Sequence, residues 1–166
     1  MKKIAILLEN LFDEHEVIYP YHRFKEDFEV LLVGTEAGNV YKSKEGFSLK
    51  SDAASRDVSA DSFDALFIPG GFSPDYMRRS EATIKLVKAM HDQGKPIAAI
   101  CHAGWVLASA IDLGGKKVTS YPTLKDDLVH AGAEWVNEVA VDDNLVTGRN
   151  PQDLPGVVKA FIRKLT

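Results

Sequence analysis

The stretch PIAAICHAGWVLASA, residues 96–110, runs from small apolar residues through one cysteine and one histidine into a helix-forming run. A short apolar run closed by turn residues reads as a buried parallel strand, and residues 103–113 read as the helix that follows it. Strand, sharp turn and helix are the unit of an α/β sheet, and the rest of the chain repeats them. KKIAILL (2–8), FEVLLVGT (28–35) and FDALFIPGG (63–71) read as three more parallel strands. EHEVIYPYHRFKE (14–26), EATIKLVKAMHDQG (81–94), LKDDLVHAG (124–132) and PQDLPGVVKAFIRKL (151–165) read as helices. Gly94 is placed for a C-terminal cap, and the last helix has its prolines near the start. Strands alternating with helices predict a three-layer α/β sandwich, with a mostly parallel central sheet and helices on both faces. GNVYKSKEGFSLKSD (38–52) and EWVNEVAVDDNLVTGR (134–149) read as antiparallel hairpins on the sheet edges.

A chain of 166 residues with no linker, repeat or low-complexity tract predicts a single domain over residues 1–166. Its 45% hydrophobic and 27% charged residues are those of an ordinary globular protein. The apolar runs are strand-length, well short of the roughly 20 residues of a membrane span, and the N-terminus turns acidic where a signal peptide would carry small residues. These features point to a cytoplasmic protein with no membrane partner. A net charge of −4 without a basic cluster argues against nucleic acid as a partner. The five histidines show no metal-ligand spacing; His15 and His22 share a helix face, where solvated surface positions explain them, so no metal or cofactor is expected.

One cysteine forms no internal disulfide, so Cys101 is either a small buried hydrophobe or a reactive thiol. Its place at the carboxyl end of a strand, at a helix N-terminus, favours the thiol reading. A strand-turn-helix elbow of this kind holds its central residue at positive φ. Adjacent side chains at such a turn point apart, so His102 need not touch the sulfur. Gly70 and Gly71 end a neighbouring strand; either the turn alone requires them, or their bare backbone approaches a ligand, with the Gly71 and His102 N–H groups as an oxyanion hole. Asp13, Glu14 and Glu16 lie at the same edge, either as helix-capping acids or as a protonated carboxyl beside the thiolate.

FDEHEVIYP, FDALFIPGGFSPD, GKPIAAICHAG, VTSYPTLKDDLVHAGAEW and NLVTGRNPQDLP, taken in order, resemble the PfpI family of the DJ/PfpI superfamily over essentially the whole chain. The resemblance implies a flavodoxin-like fold close to the class I glutamine amidotransferase domain. It implies Cys101 as nucleophile, His102 beside it, Glu16 hydrogen-bonded to the cysteine, Asp75 from a neighbouring subunit as the acid of a Cys-His-acid triad, and Tyr121 near the pocket. A homo-oligomer, a dimer or higher, follows from such a shared site. The chain departs from the family pattern in reading CHAG for CHGP, GRNPQDL for SRxPxDL, and Asp75 where glutamate is common. The activities implied are those of a stress-response enzyme acting on small aldehydes or their adducts, or an intracellular peptidase. The alternative is a non-enzymatic redox sensor or chaperone in which Cys101 is oxidised.

Overall fold

A computed structural model describes all of residues 1–166. Its strands are β1 Lys3–Leu7, β2 Glu29–Gly34, β3 Val40–Lys42, β4 Ser48–Lys50, β5 Ala53–Ala54, β6 Ala65–Ile68, β7 Ile97–Ile100, β8 Lys117–Val118, β9 Glu134–Trp135, β10 Ala140–Asp142 and β11 Leu145–Gly148. The helices are α1 Glu14–Lys25, α2 Ser73–Met77, α3 Glu81–Asp92, α4 Gly104–Ala110, α5 Lys125–His130 and α6 Leu154–Arg163. Seven strands form the central sheet in the order β10-β11-β7-β6-β1-β2-β5, parallel throughout except for β10.

The two faces of each strand feed different cores, as a period of two requires. Ala5, Leu7, Leu66, Ile68, Ile97 and Ala99 pack with α3, α4 and α5. Ile4, Ile6, Phe67, Ala98 and Ile100 pack with α1 and α6. The second core centres on Phe24, Phe67 and Phe161, whose ring centroids lie 5.3–6.0 Å apart. Such aromatic pairs contribute about 0.5–1.5 kcal/mol each beyond the area they bury. This packing closes the three layers.

The outer elements differ from the sequence reading in four places. The 38–52 hairpin forms, yet it is a separate two-stranded ribbon joined to the β1–α1 connection by a single bridge, Phe12 to Ser43, rather than an edge of the main sheet. The second hairpin is confined to β10–β11, because Glu134 and Trp135 pair in parallel with β8 instead. Residues after the PGG turn form the short α2, which Pro74 suits by lacking an N–H in the first turn. The helix after the cysteine stops at Ala110, where Ile111 turns extended.

Candidate active site

The elbow is the point where β7 stops alternating. Ile100 is extended, at φ −128°, and Cys101 follows at φ 61°, one of three non-glycine residues in the left-handed region. A 3₁₀ turn over Cys101–Ala103 then leads into α4. The reversal sends Cys101 to the same side as Ile100, against the α1–α6 core, and leaves it 8% exposed. A left-handed cysteine costs roughly 1–2 kcal/mol, which the surroundings must offset. They do so in part through the Tyr121 N–H, which donates to the Cys101 carbonyl at 3.0 Å.

The PGG turn closes on the thiol from the neighbouring strand. A Cβ on Gly70 would lie 2.6 Å from Cys101 Cβ and 2.6 Å from Glu16 Oε1, so no larger residue fits there. Gly71 stands at φ 67°, and a Cβ there would lie 2.6 Å from the Asp13 nitrogen. These glycines are therefore needed for close approach as well as for the turn. Gly70 N–H donates to Glu16 Oε1 at 2.8 Å, while the backbone amides of Gly71 and His102 pull the Cys101 pKa down.

Glu16 lies in the first turn of α1 and is fully buried. Its Oε2 has no hydrogen-bond partner. Burial and then the charge of Asp13 push the Glu16 carboxyl up to about 8, against the pull of the Gly70 amide and Lys44. Burial and then Glu16 push the Cys101 thiol up to about 12, against the pull of the two amides. Two like charges in contact in a dry site are not both tolerated, so these are the successive proton losses of one coupled pair. Each group raises the pKa of the other, so one proton leaves the pair well before the second.

His102 does touch the sulfur, with Nδ1 3.2 Å from Sγ, because the 3₁₀ turn keeps the two side chains on one side. Its ring stacks on Tyr121 at 4.9 Å and meets the edge of Trp105 at 5.1 Å. Burial and then the charge of Lys44 lower its pKa, which keeps the ring neutral and able to accept a proton. No carboxylate of the same chain hydrogen-bonds or ion-pairs with His102. Asp75, on α2, is instead bound to Arg79 Nη2 at 2.6 Å.

Asp13 caps α1, accepting from the His15 N–H at 2.9 Å, and its second oxygen pairs with Lys44 Nζ at 2.8 Å. Its oxygens are thus committed inside the protein. Asp13, Glu14 and His15 bring one ligand atom each within 4.8 Å of one another, but Lys44 already occupies Asp13, which makes a poor cation site. Sequence reasoning brings together Cys101, His102, Glu16, Gly70, Gly71, Asp13 and Tyr121, and it misses Lys44, Phe72 and Trp105. Phe72 is 45% exposed and meets the Trp105 edge at 6.0 Å, extending an aromatic rim from His102 across the surface. An apolar residue following PGG was the only available signal for it.

Similarity to known proteins agrees with this geometry. Residues 2–164 match the DJ-1/PfpI family. The chain is 43% identical over 165 residues to the deglycase PfpI of Pyrococcus furiosus, covering 98% of this chain and 99% of the relative. It is 41% identical over 155 residues to YraA of Bacillus subtilis, a protein named as a putative cysteine protease, with 92% of each chain covered. A crystal structure of a two-domain protein from Anabaena variabilis, containing DJ-1/ThiJ/PfpI-like and ferritin-like domains, superposes with a TM-score of 0.97 at 38% identity. The match covers 99% of this chain and 48% of that one. With the family matched over residues 2–164 and the Pyrococcus relative matched over 99% of its length, the chain belongs to the DJ-1/PfpI family.

Proposed function

We propose that this protein is a cysteine-dependent enzyme that converts small reactive dicarbonyls, or their adducts on proteins, through a thiolate at Cys101. The observation that carries this reading is the sulfur at a left-handed elbow, 3.2 Å from His102 Nδ1, with the buried Glu16 carboxyl and Cys101 crowding the same side of Gly70. When the pair is singly ionised, the charge belongs on sulfur. The backbone amides of Gly71 and His102 favour the thiolate, and Glu16 Oε1 already accepts from Gly70 N–H, so we place the remaining proton on Oε2, the oxygen without a partner.

Methylglyoxal illustrates the chemistry. The Cys101 thiolate adds to the aldehyde carbon, and the carbonyl oxygen takes the Glu16 proton, forming a hemithioacetal. His102 removes the hydrogen on that carbon as a proton, giving an enediolate, and returns it to the former ketone carbon; the hydroxyl proton on the sulfur-bearing carbon passes to the former ketone oxygen, which leaves a lactoyl thioester on Cys101. Water then releases lactate and restores the thiol and carboxyl. The oxidised and reduced carbons belong to one substrate, so no external oxidant is required. A hemiaminal adduct reaches the same hemithioacetal once its C–N bond breaks, the amine or guanidine leaving with the Glu16 proton on nitrogen, and the thiolate takes its place on that carbon; the later steps are then the same.

His102 requires an orienting acid that its own chain does not provide, and Asp75 of a second copy fits that role, its carboxylate lying on α2 beside the exposed Phe72. The site is then shared across a two-fold interface of at least a dimer. The names of the Pyrococcus deglycase and of YraA support, respectively, the aldehyde and the peptide reading of the same thiol.

Incubation with methylglyoxal and, separately, with an unmodified peptide of mixed sequence tests the assignment. Proton NMR is expected to show lactate accumulating with methylglyoxal while the peptide stays intact. Peptide cleavage without lactate would transfer the assignment to a peptidase, and neither product would remove the enzymatic reading in favour of a redox or chaperone role.

A further inference from the structure

The β3–β4 ribbon lies outside the central sheet, yet its tip is fastened to the loop that enters α1. Leu11 N–H donates to Lys42 O at 2.7 Å, Lys44 N–H to Phe12 O at 3.0 Å, and Glu45 N–H to Glu14 Oε1 at 2.8 Å. Asn10 Oδ1 accepts from Lys42 N–H at 3.0 Å. Four such bonds hold the backbone of residue 44 in place, and its side chain spans to Asp13 at 2.8 Å. Asp13 itself is 4% exposed, one turn of helix from Glu16. A buried carboxylate at that place repels negative charge on both Glu16 and Cys101, whereas Lys44 attracts it on Glu16.

We propose that Lys44 is a positioning residue of the active site, delivered by the ribbon tip, whose ammonium neutralises Asp13 and so sets the charge balance of the Cys101–Glu16 pair. The inference rests on the reading of that pair as the source of the reactive thiolate. The charged groups around the pair are few. From α1 they are Asp13 with His15 on its other oxygen, from the ribbon Lys44, and from the elbow His102. Asp75, on α2, is turned to Arg79. Lys44 touches neither the sulfur nor Glu16 by a hydrogen bond, so its action runs through Asp13 and through space.

The rate of Cys101 alkylation by iodoacetamide, followed by intact mass across about pH 6–9, tests this. Lys44→Met is expected to slow the reaction about five-fold at neutral pH and to displace the profile to higher pH, while Lys44→Arg stays within about two-fold of the unsubstituted protein. The double variant Asp13→Asn with Lys44→Met removes both charges and is expected to return to within about two-fold as well. Because an unfolded chain would expose Cys101 as an ordinary reactive thiol, circular dichroism and thermal unfolding of each variant accompany the rates, and only variants that fold like the parent are compared. A Lys44→Met profile that overlays the parent, or a double variant as slow as Lys44→Met alone, overturns the proposal. If the parent protein itself fails to react throughout this range, the thiolate reading fails first, a distinct result from a parent that reacts and a Lys44 variant that does not differ.

Discussion

Cys101→Ala is expected to bring lactate formation from methylglyoxal down to the rate without protein, a loss of at least about a thousand-fold, with the fold retained. Every other part of the proposed chemistry acts on an adduct that the sulfur must first form. Gly70 and Gly71 shape the approach, the His102 and Gly71 amides hold charge on sulfur, and Glu16 supplies the proton. None of these groups replaces a carbon–sulfur bond. Alanine at φ 61° keeps the local strain and deletes one buried atom, while Glu16 loses only a neighbour, so thermal unfolding should move by a few degrees at most. Activity above about a tenth of the parent in a correctly folded Cys101→Ala would exclude the thiol as nucleophile.

A mixture of two inactive variants is expected to recover activity that neither has alone. Asp75→Ala should reduce turnover about a hundred-fold, since an imidazole without an orienting acid loses its preferred tautomer and the stabilisation of its charged form. In a dimer of one Cys101→Ala chain and one Asp75→Ala chain, a single site combines Cys101 and His102 of one subunit with an intact Asp75 from the other. Random re-pairing of equal amounts makes half the dimers mixed, so about a quarter of parental activity should return. Within one chain His102 has no acid, and Asp75 is paired with Arg79 at 2.6 Å, a pair it would have to share with the imidazole of a second copy. If exchange is verified by mass and no activity returns, His102 is oriented without Asp75.

The inner strands were legible because β1, β6 and β7 are almost wholly buried and so are apolar without interruption. The two-residue strands β5, β8 and β9 carry no period to read; Lys117 and Glu134 are polar, and their pairing is decided by tertiary contacts. Cys101 was legible as an elbow from its place between an apolar run and a helix, and the left-handed φ follows from that place. Its contact with His102 was not, because it depends on a 3₁₀ turn rather than the start of a regular helix. Lys44 was hidden for another reason. A lysine at a hairpin tip looks like any solvated charge until the bonds from Leu11, Lys44 and Glu45 dock that tip on the loop before α1.

The decisive measurement is a titration of thiolate absorbance in the far ultraviolet, recorded as the difference between the protein and Cys101→Ala so that tyrosine contributions cancel. The first proton of the Cys101–Glu16 pair leaves at about 8, and the account places the resulting charge on sulfur. The difference signal should therefore rise with a midpoint at about 8 and should not wait for the second loss at about 12. A signal still flat well above the pH at which an exposed thiol ionises, about 8.5, would mean that Glu16 takes the charge and Cys101 stays protonated, and the nucleophile proposed for this site would not exist.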